Sequence, residues 1–204
     1  MKTFFWMIAA ILLDGCSAGP TTREALLTYD FGPLREDAAA AKTIKASVLM
    51  HGVSAPAWLD STAVIYRLAY QDAARQYVYA NSRWATQPGA LIGQRLRGRL
   101  AAASTGGVIV GADGARADYS LRVELEMFSQ IFDAADRSRG VVVARASLVN
   151  TAKRTLVAQR SFTIEKPAAS ADAEGGVRAL AAAGDELVDS IVAWTAAGIA
   201  QGAK

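Results

Sequence analysis

The sequence contains few side chains that could carry out catalysis. His51 is the only histidine, so a histidine metal cluster cannot form and a histidine-based triad would have to use this residue. Its place in an apolar segment beside Gly52 favours a structural or surface role instead. Glu124 and Glu126 could in principle act as an acid and a base, but glutamates two apart are also typical of the solvent face of a strand.

Other reactive arrangements are missing from the sequence. The polar turn formed by Asp133, Asp136, Arg137 and Arg139 does not have the spacing of metal ligands. The glycines at 106–107 and 111–114 lack the Lys and Ser/Thr that a phosphate-binding loop requires, and there is no nucleophile elbow of the GxSxG type. The sequence therefore predicts a protein that is not an enzyme and has neither a cofactor nor a metal.

Cys16 is the only cysteine, and its surroundings point to modification rather than catalysis. A single cysteine excludes a disulfide scaffold. Lys2 precedes an uncharged apolar run at 4–13 (FFWMIAAILL), which is too short to span a bilayer and suits the central region of a signal peptide. The run ends close to Cys16, which is followed by the loose stretch SAGPTT.

The residues before Cys16 resemble the lipobox of bacterial lipoproteins. Leu13 and Gly15 match the pattern, whereas Asp14 stands where a small residue is usual. The resemblance implies a signal peptide at 1–15, cleavage before Cys16, acylation of that residue and a lipidated tether at 16–24. Several acyl chains on one residue would anchor the protein stably. Ser17, rather than Asp, follows the cysteine, and by the enterobacterial sorting rule this implies the outer membrane.

Two other interpretations of the N-terminus remain open. It could be a cytosolic amphipathic segment with an incidental cysteine, or a secretory signal that is cut elsewhere.

Composition sets the class of the remaining chain. Of 204 residues, 52% are hydrophobic and 20% charged, so a disordered chain is excluded. No internal run reaches the roughly 20 apolar residues of a membrane span, which excludes a multi-spanning protein. The net charge of +3 could favour an anionic lipid or another acidic surface, but no basic-aromatic motif indicates nucleic acid.

Hydrophobic patterning predicts strands in the first half of the chain and a helix at its middle. The predicted strands cover 25–31, 44–53, 63–70 and 76–79, the last two forming a hairpin. Residues 81–85 are expected to leave this hairpin, and 34–43 to form a loop or a helical turn. Pro88 marks the start of a helix that ends near 104–107.

The second half predicts a short strand, a three-stranded meander and a long helix. The strands are expected at 108–110, from Asp118 onward with a bulge at Met127–Phe128, at 141–150 and at 155–165. Asp172 is a candidate N-cap for a helix with one apolar stripe that packs on the sheet, and its last residues are expected to fray. The predicted fold is α+β: one domain at 25–200, mostly an antiparallel sheet with a middle helix and a long C-terminal helix packed on it.

Several segments, in order along the chain, resemble the ABC-type transport auxiliary lipoproteins. Tryptophan-containing pieces lie in the first half, namely 55–61 (APAWLDS) with 64–67 (VIYR), and 79–85 (YANSRWA) with Pro88. Strand-like pieces follow at 117–125 (ADYSLRVEL) with Phe128, 144–149 (ARASLV) and 161–162, before a final alanine-rich helix that contains Trp194.

This resemblance implies a non-enzymatic lipoprotein that faces the periplasm from the inner leaflet of the outer membrane. It would work beside an MCE-domain protein and an associated ABC permease and ATPase in phospholipid or other lipid transport between membranes, and a homo-oligomer is possible. The lipidation site, Cys16, is the one position with a defined role. Five further positions match the family and are expected to form either a partner-docking patch or a structural motif: Trp58, Leu59, Asp60, Arg83 and Trp84. In the structural alternative, Arg83 would pair with a carboxylate such as Asp60.

Two other functions remain open from the sequence. The protein could be a structural or assembly lipoprotein of the cell envelope, or a lipid-binding carrier with its own cavity.

Overall fold

The computed structural model describes residues 25–33 and 43–202. Together they form one eight-stranded mixed sheet with two helices, which confirms the predicted α+β class. The elements are β1 (Leu27–Tyr29), β2 (Val48–Met50), β3 (Ala63–Leu68), β4 (Tyr77–Trp84), α1 (Pro88–Ala103), β5 (Val108–Val110), β6 (Tyr119–Ala134), β7 (Arg137–Asn150), β8 (Thr155–Pro167) and α2 (Ala173–Gly202). The predicted signal peptide, the tether and Cys16 lie outside the described residues, as does most of the loop at 34–43.

The antiparallel meander of β6, β7 and β8 is the largest part of the sheet. One face of the meander packs on the core and the other faces solvent, which explains the alternation of apolar and polar residues in the sequence. The pairing of β6 with β7 shifts register between Leu125 and Met127, so the predicted bulge is present slightly earlier than Met127–Phe128.

The other edge of β6 carries two short strands that both run parallel to it. Val48 of β2 pairs with Tyr119 of β6, and Tyr66 of β3 pairs with Gln130 of β6. The strand predicted over 44–53 is therefore only three residues long, flanked by single bridges at Ile44 and Ser54. Between β2 and β3 the chain leaves the sheet and forms a short 3₁₀ helix, Ala57–Leu59.

The hairpin of β3 and β4 confirms one prediction and corrects another. β4 does not end at Tyr79 but continues to Trp84, so the residues that were expected to leave the hairpin remain in the sheet. The reason is long-range pairing, because Leu27 of β1 lies opposite Ser82 and Ala63 of β3 opposite Arg83. Pairing between distant strands cannot be predicted from the polarity of residues 81–85 alone.

Both helices begin where the sequence indicated. Pro88 opens α1, and Asp172 caps α2 by accepting a hydrogen bond of 2.8 Å from the backbone N–H of Gly175. The expected fraying of the last residues is wrong within the described part, because α2 continues to Gly202. Ile199 is buried there, and Gly198 packs against Leu148.

The helix α2 lies very close to the sheet at Gly140 of β7. A Cβ atom at this position would lie 2.7 Å from the backbone nitrogen of Leu180 and 2.8 Å from the carbonyl carbon of Ala179. Only a residue without a side chain permits this approach. It seats α2 on β7, with the apolar stripe of Val177, Leu180, Leu187 and Ile191 in the core.

Candidate partner-docking surface

Burial divides the five residues of the predicted docking or structural motif into two groups. Leu59 and Trp84 are each only 1% exposed and belong to the hydrophobic core. Trp58 is 37% exposed, and Asp60 and Arg83 also lie on the surface. Only the last three can contact a partner directly.

The 3₁₀ helix explains why adjacent residues have opposite environments. The N–H of Leu59 donates to the carbonyl of Pro56 at 2.8 Å, and the N–H of Asp60 donates to that of Ala57 at 3.2 Å. This tight turn directs Leu59 inward and leaves Trp58 outside. Full burial of a leucine side chain contributes about 1.5–3 kcal/mol to stability, so Leu59 anchors the turn to the core.

Trp84 fixes the neighbouring strand by packing on aromatic rings. Its ring centroid lies 5.3 Å from that of Phe128 and 6.0 Å from that of Phe31, both in edge-on arrangements. Its backbone N–H donates to the carbonyl of Thr62 at 2.8 Å, just beyond the turn that carries Leu59. The two buried members of the motif therefore hold its exposed members in place.

Trp58 forms a surface pair with Arg67 of β3. The guanidinium carbon lies 5.8 Å from the centroid of the indole ring, within range of a cation–π interaction. The Nη1 group of Arg67 also donates to the carbonyls of Ala73 and Ala74, at 3.0 and 3.1 Å. These contacts restrain Arg67 and so give Trp58 a fixed support.

The ion pair expected between Arg83 and Asp60 is not formed. Within the described part of the chain, neither residue has an oppositely charged partner within salt-bridge distance. Arg83 lies in β4 between Thr28 and Ala63 and projects into solvent. Because neither charge is taken up by the other, both are exposed to a binding partner.

Asp60 and Leu59 also line a cleft between the segment 50–60 and the first half of α1. Its volume is 360 Å³, and its polar members come from Asp60, Gln87, Gln94 and Arg97. The helix approaches closely because Gly89 has no side chain; a Cβ atom there would lie 3.1 Å from the carbonyl oxygen of Val53. The cleft offers a carboxylate, an arginine and two amides around an apolar floor, which suits recognition rather than bond making.

A largely buried polar cluster lies where β4, β6 and the start of α2 meet. The hydroxyl of Tyr79 donates to Oε1 of Gln130 at 2.8 Å, and Nε2 of Gln130 donates to Ser138 and to the carbonyl of Asp172. Burial, with smaller effects from Tyr66 and Asp172, raises the pKa of Tyr79 well above its ordinary value. Tyr79 is therefore a neutral hydrogen-bond donor, and the cluster joins β4 and β6 to the start of α2.

The residues that were considered for catalysis, His51, Glu124 and Glu126, lie beside polar or charged side chains of the sheet. Nε2 of His51 lies 2.9 Å from the hydroxyl of Ser120. Glu126 forms an ion pair with Arg145, and both Glu126 and Glu124 raise the pKa of that arginine. A shared arginine beside two surface glutamates is typical of a charged strand face.

The polar turn between β6 and β7 also has a structural explanation. Arg139 forms ion pairs with Asp133 and Glu165, the latter at 3.1 Å, and so connects all three strands of the meander. No group of three or more potential metal ligands is found among residues 25–33 and 43–202. Within the same residues, neither helix is long and apolar enough to cross a bilayer.

Sequence reasoning missed the most buried charge in the described chain. Arg95 of α1 is 5% exposed and faces Asp185 of α2, whereas arginine side chains are rarely buried. The sequence does contain a signal. Arg95 and Arg99 are four apart on α1, while Asp185 and Asp189 are four apart on α2, and the structure pairs them in that order.

One known protein family matches most of this chain. The family model described as "ABC-type transport auxiliary lipoprotein component" matches residues 29–192. The search of curated proteins gave no match.

Solved structures share the fold at low sequence identity. A Xanthomonas campestris protein of the DUF330 family aligns with a TM-score of 0.69 and 20% identity, over 88% of this chain and 96% of that one. An uncharacterised protein aligns with a TM-score of 0.64 and 18% identity, over 83% and 97% of the two chains. A hypothetical protein of Chlamydia trachomatis reaches a TM-score of 0.51 at 10% identity, over 74% and 96%. These likenesses show the fold, which does not by itself define a function.

Proposed function

Because the chain belongs to the ABC-type transport auxiliary lipoprotein family, we propose that it is a non-enzymatic component of an intermembrane lipid-transport system. In this proposal it is anchored in the inner leaflet of the outer membrane and faces the periplasm. Its partners are an MCE-domain protein and the associated ABC permease and ATPase. The family match over residues 29–192 is the observation that carries the proposal.

The anchor in this proposal is the acylated Cys16. Residues 16–24 connect it to the first described residue, Ala25, and nine residues of extended chain reach at most about 30 Å. The folded domain would therefore stay close to the membrane surface. Energy from ATP belongs to the other subunits, since this sequence has no nucleotide-binding loop.

The contact with the MCE-domain protein would be made by the exposed half of the motif. Trp58 supplies a large apolar surface with a polar edge, and Asp60 and Arg83 supply opposite charges that are not neutralised by each other. An aromatic centre flanked by charged groups is typical of residues that dominate a binding interface.

Affinity capture from detergent-solubilised envelopes tests this function. The full chain with a C-terminal tag is expected to recover an MCE-domain protein together with a permease and an ATPase. Recovery of outer-membrane assembly factors alone would instead support a structural or assembly lipoprotein. Abundant co-purifying lipid without protein partners would favour a carrier.

The anchor is tested separately by metabolic labelling with a fatty acid and by membrane fractionation. Cys16→Ser is expected to abolish labelling and to release the protein from membranes, whereas wild type fractionates with the outer membrane. Ser17→Asp is expected to shift the protein to the inner membrane. Labelling that persists in Cys16→Ser would refute lipidation at this residue.

A further inference from the structure

Among the described residues, the last strand of the meander has one long edge without a partner strand. In the described residues β8 pairs only with β7, over thirteen residues from Thr155 to Pro167. A strand edge of this kind presents backbone donors and acceptors that can pair with another strand.

A groove runs beside this edge, between β8 and the C-terminal half of α2. Its volume is about 690 Å³, within the range of sites that hold a ligand of several apolar groups. The floor is formed by Phe162 and Trp194, whose rings meet edge-on at 6.0 Å. The side chains that define the groove are Arg160, Phe162 and Ile164 from β8, and Ala193, Trp194 and Ala197 from α2.

The size of the groove results from small side chains on the helix. Ala193 and Ala197 are one turn apart, both exposed, and both stop at Cβ. The side chains of an added segment can therefore enter between the helix and the strand. Alternate residues of an extended segment would point into this space, and apolar ones fit its floor.

Among residues 25–33 and 43–202, Arg160 is the only charged residue that lines the groove. Its guanidinium carbon lies 5.0 Å from the centroid of the Phe162 ring, and no carboxylate within the described part of the chain forms an ion pair with it. A ligand carboxylate placed here would gain a charge-assisted hydrogen bond. The charge therefore favours an acidic ligand.

The backbone edge decides between an acidic peptide and an anionic lipid. An acyl chain that covered the edge would bury N–H and C=O groups without hydrogen bonds, which is unfavourable. A peptide in extended conformation satisfies those groups and fills the groove with its side chains.

We propose that the β8 edge and the adjoining groove bind an extended acidic segment of a partner protein, which adds to the sheet as a further strand. The segment has alternating apolar side chains and a carboxylate opposite Arg160. This surface is distinct from the one around Trp58, so it can be tested without reference to the transport function.

The test uses the full chain in non-ionic detergent and a fluorescent peptide of about seven residues, Val-Thr-Glu-Thr-Val-Thr-Val, whose valines and glutamate lie on one face of an extended strand. Fluorescence anisotropy is expected to show saturable binding. Hydrogen exchange is expected to show new protection within 155–167. The same peptide with every backbone nitrogen methylated cannot donate hydrogen bonds to the edge and is expected not to bind.

Matched variants separate the groove from non-specific association. Arg160→Glu is expected to weaken binding roughly ten- to a hundredfold, whereas Arg122→Glu, an exposed arginine on β6, leaves it unchanged. Ala197→Trp fills the groove and is expected to abolish binding, whereas Ala182→Trp, exposed elsewhere on α2, does not. Circular dichroism of each variant checks that it is folded.

Several results would overturn the proposal. One is equal binding of the methylated peptide. Another is complete protection of β8 in the dilute protein without peptide, which would mean that the edge is already occupied by its own chain. Protection that depends on protein concentration alone would assign the edge to a second copy. Protection by added anionic phospholipid, but not by peptide, would assign the groove to lipid.

Discussion

The Nε atom of Arg95 lies 3.0 Å from the Oδ1 atom of Asp185 and joins α1 to α2 inside the fold. The same guanidinium group donates to the carbonyls of Phe31, Gly32 and Pro33, at 2.6, 3.0 and 3.1 Å. One side chain thus connects both helices to the segment that follows β1. Five donors in a planar fork suit this combination of contacts, which a lysine could not reproduce.

Removal of this arginine is expected to destabilise the fold strongly. Arg95→Ala removes the donor to three carbonyls and leaves Asp185 without its cationic partner. The free energy of unfolding is therefore expected to fall by about 3–5 kcal/mol. Arg95→Lys keeps the positive charge, so its free energy of unfolding should lie between those of wild type and Arg95→Ala. Urea unfolding measures each value.

Arg99→Ala is the matched control for that measurement. Arg99 is paired with Asp189 at 3.5 Å one turn along the same interface, but Asp189 is mostly exposed. Such pairs contribute up to about 1 kcal/mol. A loss in Arg95→Ala no greater than in Arg99→Ala would contradict a special role for the buried pair.

Substitution of Gly140 tests the close approach of α2 to β7. Gly140→Ala places a methyl group against the backbone of Ala179 and Leu180, which cannot move away independently, and is expected to cost about 1–3 kcal/mol of stability. Gly52→Ala, where nothing lies within 4 Å of the added Cβ, should change stability by less than about 1 kcal/mol. Thermal and urea unfolding of both variants should show this contrast, and equal effects would argue against the close approach.

The two halves of the tryptophan motif should respond differently to alanine. Leu59→Ala removes a core side chain and is expected to lower stability by about 2–5 kcal/mol. Trp58→Ala should leave stability within about 1 kcal/mol of wild type, since its ring is partly exposed and packs on the partly exposed Arg67. It should nevertheless reduce recovery of the MCE-domain protein in affinity capture. Undiminished recovery with Trp58→Ala would exclude this residue from the docking surface.

Asp172 should contribute a pH-dependent part of the stability. Hydrogen bonds from the backbone of Gly175 and the hydroxyl of Ser170 hold its pKa below the ordinary value of 3.8. A lowered pKa in the folded state means that the stabilisation is present above the unfolded pKa and is lost as the pH falls through the folded one. The contribution of an exposed carboxylate at a helix N-terminus is about 0.3–1 kcal/mol.

Asp172→Asn is the informative variant, because asparagine also caps helices but carries no charge. The difference in unfolding free energy between wild type and this variant should shrink as the pH is lowered from about 6 to about 2. Asp172→Ala, which removes the cap at every pH, serves as the reference. A difference between wild type and Asp172→Asn that stays constant with pH would contradict the assignment.

Local patterns in the sequence were sufficient for the elements that depend on near neighbours. The alternation along β6, Pro88 at the start of α1 and the Asp172 cap each act within a few residues, so their effects can be read directly. The family resemblance carried by short segments was confirmed by the match over residues 29–192. Cys16 and the docking role of Trp58, Asp60 and Arg83 remain predictions.

Contacts between distant segments could not be predicted from local patterns. The parallel pairing of β2 and β3 with one edge of β6 shortened one predicted strand, and pairing with β1 and β3 lengthened β4. Preferences for a helix or a strand depend on neighbouring residues, so they could be predicted from the sequence. The burial of Arg95, the exposure of Trp58 beside buried Leu59 and the free edge of β8 depend on which segments meet, and that is fixed by the packing of the whole chain.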